Sequence, residues 1–108
     1  MLENCTLDTR YFFPKVLQAV ATDDFMVYAY LNDGTIRKVD MNSYFSSGRW
    51  EELKDINIFK TKLTVLNETV AWDLDGTYDN AKCLDLDPCS IYEQPFVSET
   101  EVLEAFSI

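Results

Sequence analysis

Phe25-Met26-Val27-Tyr28-Ala29-Tyr30-Leu31, followed by Asn32-Asp33-Gly34 and then Thr35-Ile36-Arg37-Lys38-Val39-Asp40-Met41, is the stretch on which the fold turns. The first seven residues are apolar on both parities and rich in aromatic and β-branched side chains. That is the composition of a strand covered on both faces. Asn32-Asp33-Gly34 is a strong hairpin signal, because a tight primed turn needs the positive φ values that Asp-Gly supplies. The returning segment mixes Arg37, Lys38 and Asp40 with Ile36, Val39 and Met41, which predicts a more exposed strand.

Upstream, Pro14 suits a strand start, and Val16, Leu17, Ala19, Val20 and Ala21 form a short apolar run. Thr22-Asp23-Asp24 then reads as a turn. Downstream of Asn42-Ser43 the period changes. Tyr44-Phe45 and Trp50-Glu51-Glu52-Leu53-Lys54, continued by Ile56 and Phe59, place apolar groups three or four apart and predict short helical turns. Lys62 to Leu66 and Thr69 to Trp72 are two more strands, joined by Asn67-Glu68 as a second tight hairpin. Asp87 as N-cap with Pro88 at the first helical position predicts a short helix carrying Ile91 and Tyr92, ended by Pro95. Ser98-Glu99-Thr100-Glu101 has the pattern of a capping box, and Val97 with Val102 the spacing of a hydrophobic staple, so a last helix is expected from about Glu99. Such a short helix must dock to be stable, through Val102, Leu103 and Phe106.

The expected fold is therefore α+β, a small antiparallel sheet built from two β-hairpins with short helices packed on it. Residues 1–12 read as a lead-in, 13–93 as a single domain and 94–108 as a C-terminal helical extension. A chain of 108 residues with 47% apolar content fits one folded domain despite a net charge of −10. Acid is unevenly placed: residues 1–67 carry eight Lys or Arg against nine Asp or Glu, whereas 68–108 carry Lys82 against ten acids. That asymmetry disfavours nucleic-acid phosphates and favours a cationic partner. No apolar run is long enough for a membrane span and no secretion signal is apparent, so the cytoplasm is the expected location. Cys5, Cys83 and Cys89, with no His, lack the ligands of a zinc site and are expected as reduced thiols. The missing His also removes the usual general base near neutral pH.

Val70-Ala71-Trp72-Asp73-Leu74-Asp75-Gly76-Thr77 resembles the first motif of haloacid-dehalogenase-like phosphatases. In that family the first Asp is the nucleophile and holds Mg²⁺ while the second is the acid/base, positions held here by Asp73 and Asp75. Two carboxylates two residues apart can both aim at one phosphoryl group from a strand end. That chemistry also needs a later hydroxyl, a Lys and an acidic pair from further parallel strands, each reached by a crossover of a dozen or more residues. The stretch after Thr77 is too short for them, and Lys82 lies too near the motif to come from another strand. An EF-hand register fails as well, since Gly76 and Leu84 fall where the pattern wants other residues. Asp73, Asp75 and Asp79 remain as metal candidates against the reading of an Asp/Gly turn; no catalytic residue and no cofactor is assigned.

The ordered set Val16 to Val20, Leu31-Asn32-Asp33-Gly34-Thr35, Trp50-Glu51-Glu52-Leu53-Lys54-Asp55 with Phe59, Trp72-Asp73, and Leu84-Asp85-Leu86-Asp87-Pro88 with Ile91-Tyr92 resembles domain-of-unknown-function family 2442, over roughly Phe13 to Glu93. The resemblance implies an α+β domain with an antiparallel sheet and, for some members, an antitoxin role in toxin–antitoxin pairs. It brings no catalytic residues. The chain is expected to be a non-enzymatic interaction protein whose acidic last third covers a small basic toxin encoded nearby. Asp85, Asp87 and Glu101 would steer the encounter, with Phe96, Val102, Leu103 and Phe106 as apolar anchors. The alternatives are a metal-dependent phosphoryl-transfer or cation-binding module on Asp73 and Asp75, and a small regulatory domain binding a ligand between sheet and helix. Homo-oligomerisation is left open.

Overall fold

The computed structural model describes residues 13–45, 48–74 and 84–106. The fold is α+β. Strands β1 (Val16–Ala21), β2 (Met26–Leu31) and β3 (Ile36–Asp40) come first, followed by 3-10 turns at Asn42–Tyr44 and Gly48–Lys54. Helix α1 (Ile56–Thr61), strands β4 (Leu63–Leu66), β5 (Thr69–Trp72) and β6 (Leu84–Asp85), helix α2 (Pro88–Tyr92), strand β7 (Phe96–Val97) and helix α3 (Glu99–Ala105) complete it. The two hairpins of the sequence lie in different sheets rather than one: an antiparallel four-stranded sheet β1-β2-β3-β7 and an antiparallel three-stranded sheet β4-β5-β6. The reason is local. β1 and β7 take the two positions beside β2–β3, and the second hairpin packs against β1 instead, with the Val16 N–H donating to the Glu68 carbonyl at 2.9 Å.

β2 is covered on both faces, as its composition predicts. Val27, Ala29 and Leu31 enter the main core with Leu53, Phe59, Val70 and Trp72, while Tyr28 joins Ile36 and Val102 in a smaller cluster on the opposite face. Alternate residues of one strand thus feed two apolar layers. Trp72 is fully buried, stacked on Phe59 at 5.7 Å, and its Nε1–H donates to the Phe59 carbonyl at 2.9 Å. Among the described residues no helix is long and apolar enough to cross a membrane.

The turns refine the expectation. Asn67 and Glu68 both have positive φ, 54° and 65°, the geometry of a two-residue primed turn. Asn32-Asp33-Gly34 is instead a three-residue loop in which Gly34 takes φ 86°: the Gly34 N–H donates to Leu31 and the Leu31 N–H to Thr35. Asp33 Oδ1 selects this form by accepting from both the Thr35 N–H at 3.0 Å and its hydroxyl at 2.6 Å.

The β1–β2 loop has the same bonding, Phe25 N–H to Thr22 and Thr22 N–H to Met26, and puts Phe25 at the glycine position with φ 66°. Phe25 therefore lies in the loop, and β2 begins one residue later than the apolar run suggests. Its ring sits 5.2 Å from Phe45 and 5.1 Å from Phe59, contacts that offset the backbone strain. Phe25→Ala and Phe25→Gly remove the same contacts, but only Gly relieves the left-handed φ. The Gly variant is expected to be the more stable by about 1 kcal/mol in urea denaturation. An Ala variant of equal or higher stability would show that the φ carries no cost.

Candidate functional site

The acidic string does not assemble a site among the described residues. Asp73 follows β5 directly, is 5% exposed, and its backbone N–H donates to the Lys62 carbonyl at 3.0 Å, so the residue continues the β4–β5 pairing. Asp75 and Asp79 lie outside the described residues. Among the described residues no three Cys, Asp or Glu side chains gather closely enough to hold a metal ion. Cys89 is a buried free thiol; Cys5 and Cys83 lie outside the described residues.

The C-terminal segment brings more together. Asp87 caps α2 by accepting the Cys89 N–H at 2.9 Å, with Pro88 in the first turn, and Cys89 and Ile91 face inward. Asp85 is exposed on β6. Arg37 on β3 then clamps the chain that leaves α2: its Nη1 donates to the Tyr92 and Gln94 carbonyls at 2.8 and 3.1 Å, and its guanidinium carbon lies 4.4 Å from the Tyr92 ring centre. Ile36↔Val97 and Arg37↔Phe96 pairing fixes β7 at the sheet edge.

Ser98 caps α3 through the Glu101 N–H at 3.2 Å. The Glu101 carboxylate reaches the sheet, 3.5 Å from Lys38 Nζ, and bonds the Tyr28 hydroxyl. Val102 turns inward against Tyr28 and Ile36 and is 5% exposed, so of the expected anchors it serves the core. Phe96 and Leu103 do the opposite, standing 72% and 71% exposed, and Phe106 is 47% exposed. Stripping water from side chains of this size contributes roughly 1.5–3 kcal/mol each when they are fully covered. From Leu84 to Phe106 the chain carries Asp85, Asp87, Glu93, Glu99, Glu101 and Glu104 and no Lys or Arg.

A groove of about 470 Å³ runs beside the end of α3, bordered by Asp23, Asp24, Tyr28, Lys38, Lys60 and Phe106. Tyr28 is 3% exposed and its ring meets that of Phe106 edge-on, centroids 6.4 Å apart. Burial pushes the Tyr28 hydroxyl above its ordinary pKa; Lys38 opposes this, and Glu101 and Asp24 add to it. Asp24 accepts the Thr22 hydroxyl, which holds the loop on one wall. Sequence reasoning names Glu101, Val102 and Phe106 in this region but not Asp23, Asp24, Lys38 or Lys60. The signal for the first two was present: Thr22-Asp23-Asp24 marks the β1–β2 turn, and Tyr28, close behind it, points to the face that α3 covers. Lys60 comes from α1, and nothing in its local sequence announces the meeting.

No protein-family model, no curated protein and no solved structure matches the chain. The functional reading rests on the residues and their placement.

Proposed function

We propose that this chain is a non-enzymatic interaction protein that binds a basic partner through its C-terminal segment, and that the pair is a toxin and its antitoxin. The observation that carries the reading is the exposure of Phe96 and Leu103, 72% and 71%, within a segment that has six acids and no base. Large apolar side chains exposed beside like charges fit a surface that steers by charge and holds by burial. The antitoxin role comes from the resemblance to domain-of-unknown-function family 2442.

Co-expression with the product of the neighbouring gene tests this. Relief of growth inhibition and co-purification at low salt are expected; persistent inhibition with nothing co-purifying ends the proposal. In the purified complex, the double change Phe96→Ser and Leu103→Ser is expected to weaken binding about thirtyfold or more, the effect of removing an interface hot spot worth about 2 kcal/mol. The free protein's melting temperature should stay nearly constant because both side chains are already in water. Unchanged affinity would remove these residues from the interface.

A further inference from the structure

The groove beside α3 has a charge balance and a pair of rings that the acidic surface elsewhere does not combine. Lys60 Nζ lies 2.5 Å from Asp23 Oδ1 and Lys38 Nζ lies 3.5 Å from Glu101 Oε2, so each ammonium that borders the groove already faces a carboxylate. Asp24 is different: it accepts a neutral donor, the Thr22 hydroxyl, and among the described residues no Lys or Arg forms an ion pair with it. Three carboxylates against two ammoniums leave the neighbourhood net negative. An anionic ligand would have to break both ion pairs and approach Asp24. A purely apolar ligand would desolvate charged walls without replacing their water.

A planar cation meets both the charge and the rings. We propose that this groove receives an arginine side chain of the basic partner, its guanidinium against the Phe106 and Tyr28 rings and its N–H fork on the Asp24 carboxylate. Guanidinium is the cation of choice because it stacks on aromatic rings, is weakly hydrated and pairs with a carboxylate through two parallel hydrogen bonds; an ammonium does none of these as well. The chain uses the same solution internally, where the Arg37 guanidinium carbon sits 4.4 Å from the Tyr92 ring centre and 5.4 Å from that of Phe96. The volume of about 470 Å³ accommodates a long side chain. The inference rests on the reading of the chain as a binder of a basic protein and adds where one side chain of that protein goes.

The test titrates N-acetyl-arginine methylamide, and separately N-acetyl-lysine methylamide, into isotopically labelled protein at low salt while amide resonances are followed. Shifts are expected to concentrate at Asp23, Asp24, Tyr28 and Phe106, with arginine bound several-fold more tightly than lysine. Asp24→Asn keeps the acceptor for Thr22 but removes the charge, and should weaken arginine binding about threefold or more. Phe106→Leu keeps apolar volume and should abolish the preference for arginine. The spectra of both variants report at once whether they are folded. Equal, weak shifts for both cations spread over Asp85, Glu93 and Glu99, or no shifts at all, would overturn the proposal. A basic partner that binds both variants as tightly as the parent chain would also overturn it while leaving the proposed function intact. An arginine-selective groove in a chain that captures no neighbouring product would sustain the groove and remove the antitoxin reading.

Discussion

Trp72→Ala is expected to lower the unfolding free energy by about 3–5 kcal/mol, a large share of the ~5–15 kcal/mol that holds a domain together. The size follows from what the side chain does. The ring is fully buried, stacked on Phe59 at 5.7 Å and edge-on to Trp50 at 6.0 Å, so its removal opens a cavity at the junction of α1, β5 and the 3-10 turn. The indole also has a polar duty. Phe59 lies in the last turn of α1, where backbone carbonyls lack partners within the helix, and the Trp72 Nε1–H satisfies its carbonyl at 2.9 Å.

Trp72→Phe separates the two effects. It keeps a ring in the stack but orphans the carbonyl, which costs about 1–3 kcal/mol beyond the lost volume. Urea denaturation followed by far-ultraviolet circular dichroism measures both variants. A Phe variant within a few tenths of a kcal/mol of the parent would show that the hydrogen bond to Phe59 contributes nothing.

The same residue shows how much of the fold was legible. Val70-Ala71-Trp72 reads as a buried strand from its composition alone, and every residue of β5 is buried. The caps were equally readable, because Asp87 with Pro88 and Ser98 ahead of Glu101 act within a few residues of chain. The sheet count was less so. Local pattern identifies hairpins, while their assignment to one sheet or two depends on which edges β1 and β7 occupy, a contact between distant segments. Turn type was missed for a related reason. Asp-Gly serves both two- and three-residue loops, and the Asp33 bonds to Thr35 decide between them. Phe25 at φ 66° carries no sequence signal at all, since its neighbours Phe45 and Phe59 arrive from far along the chain.

The candidate site follows the same division. Exposure of Phe96, Leu103 and Phe106 agrees with their place on a short amphipathic segment, but the inward turn of Val102 depends on Tyr28 and Ile36 across the sheet. Lys38 and Lys60 enter the groove from β3 and α1, so only the tertiary fold brings them beside Asp23 and Phe106.

Arg37→Ala is expected to release the segment from Tyr92 to Phe106 without unfolding the rest. The clamp comprises two hydrogen bonds from Nη1, to Tyr92 at 2.8 Å and Gln94 at 3.1 Å, a third from Nε to Thr35 at 3.2 Å, and the ring faces of Tyr92 and Phe96. Hydrogen bonds from a charged donor contribute about 1.5–3 kcal/mol each when buried, and partial exposure here reduces their sum to about 2–3 kcal/mol. What else holds the segment is slight: two residue pairs in β7, the Lys38 N–H donating to Pro95 at 3.0 Å, the exposed Lys38–Glu101 ion pair, and Val102 in a three-residue buried cluster. Losing the clamp therefore removes a large fraction of the docking energy, and amide exchange should accelerate about thirtyfold or more at Lys38, Val97 and Val102 while Val27 and Ala29 change far less. Arg37→Lys should recover only part of the protection, because a point charge cannot span two carbonyls and lie flat on Tyr92 at once. If the segment carries the partner surface, affinity falls in step with its exchange protection across the three proteins. Uniform acceleration at every amide would show instead that the segment and the sheet unfold as one unit, and that Arg37 stabilises the whole domain rather than the placement of Phe96, Leu103 and Phe106.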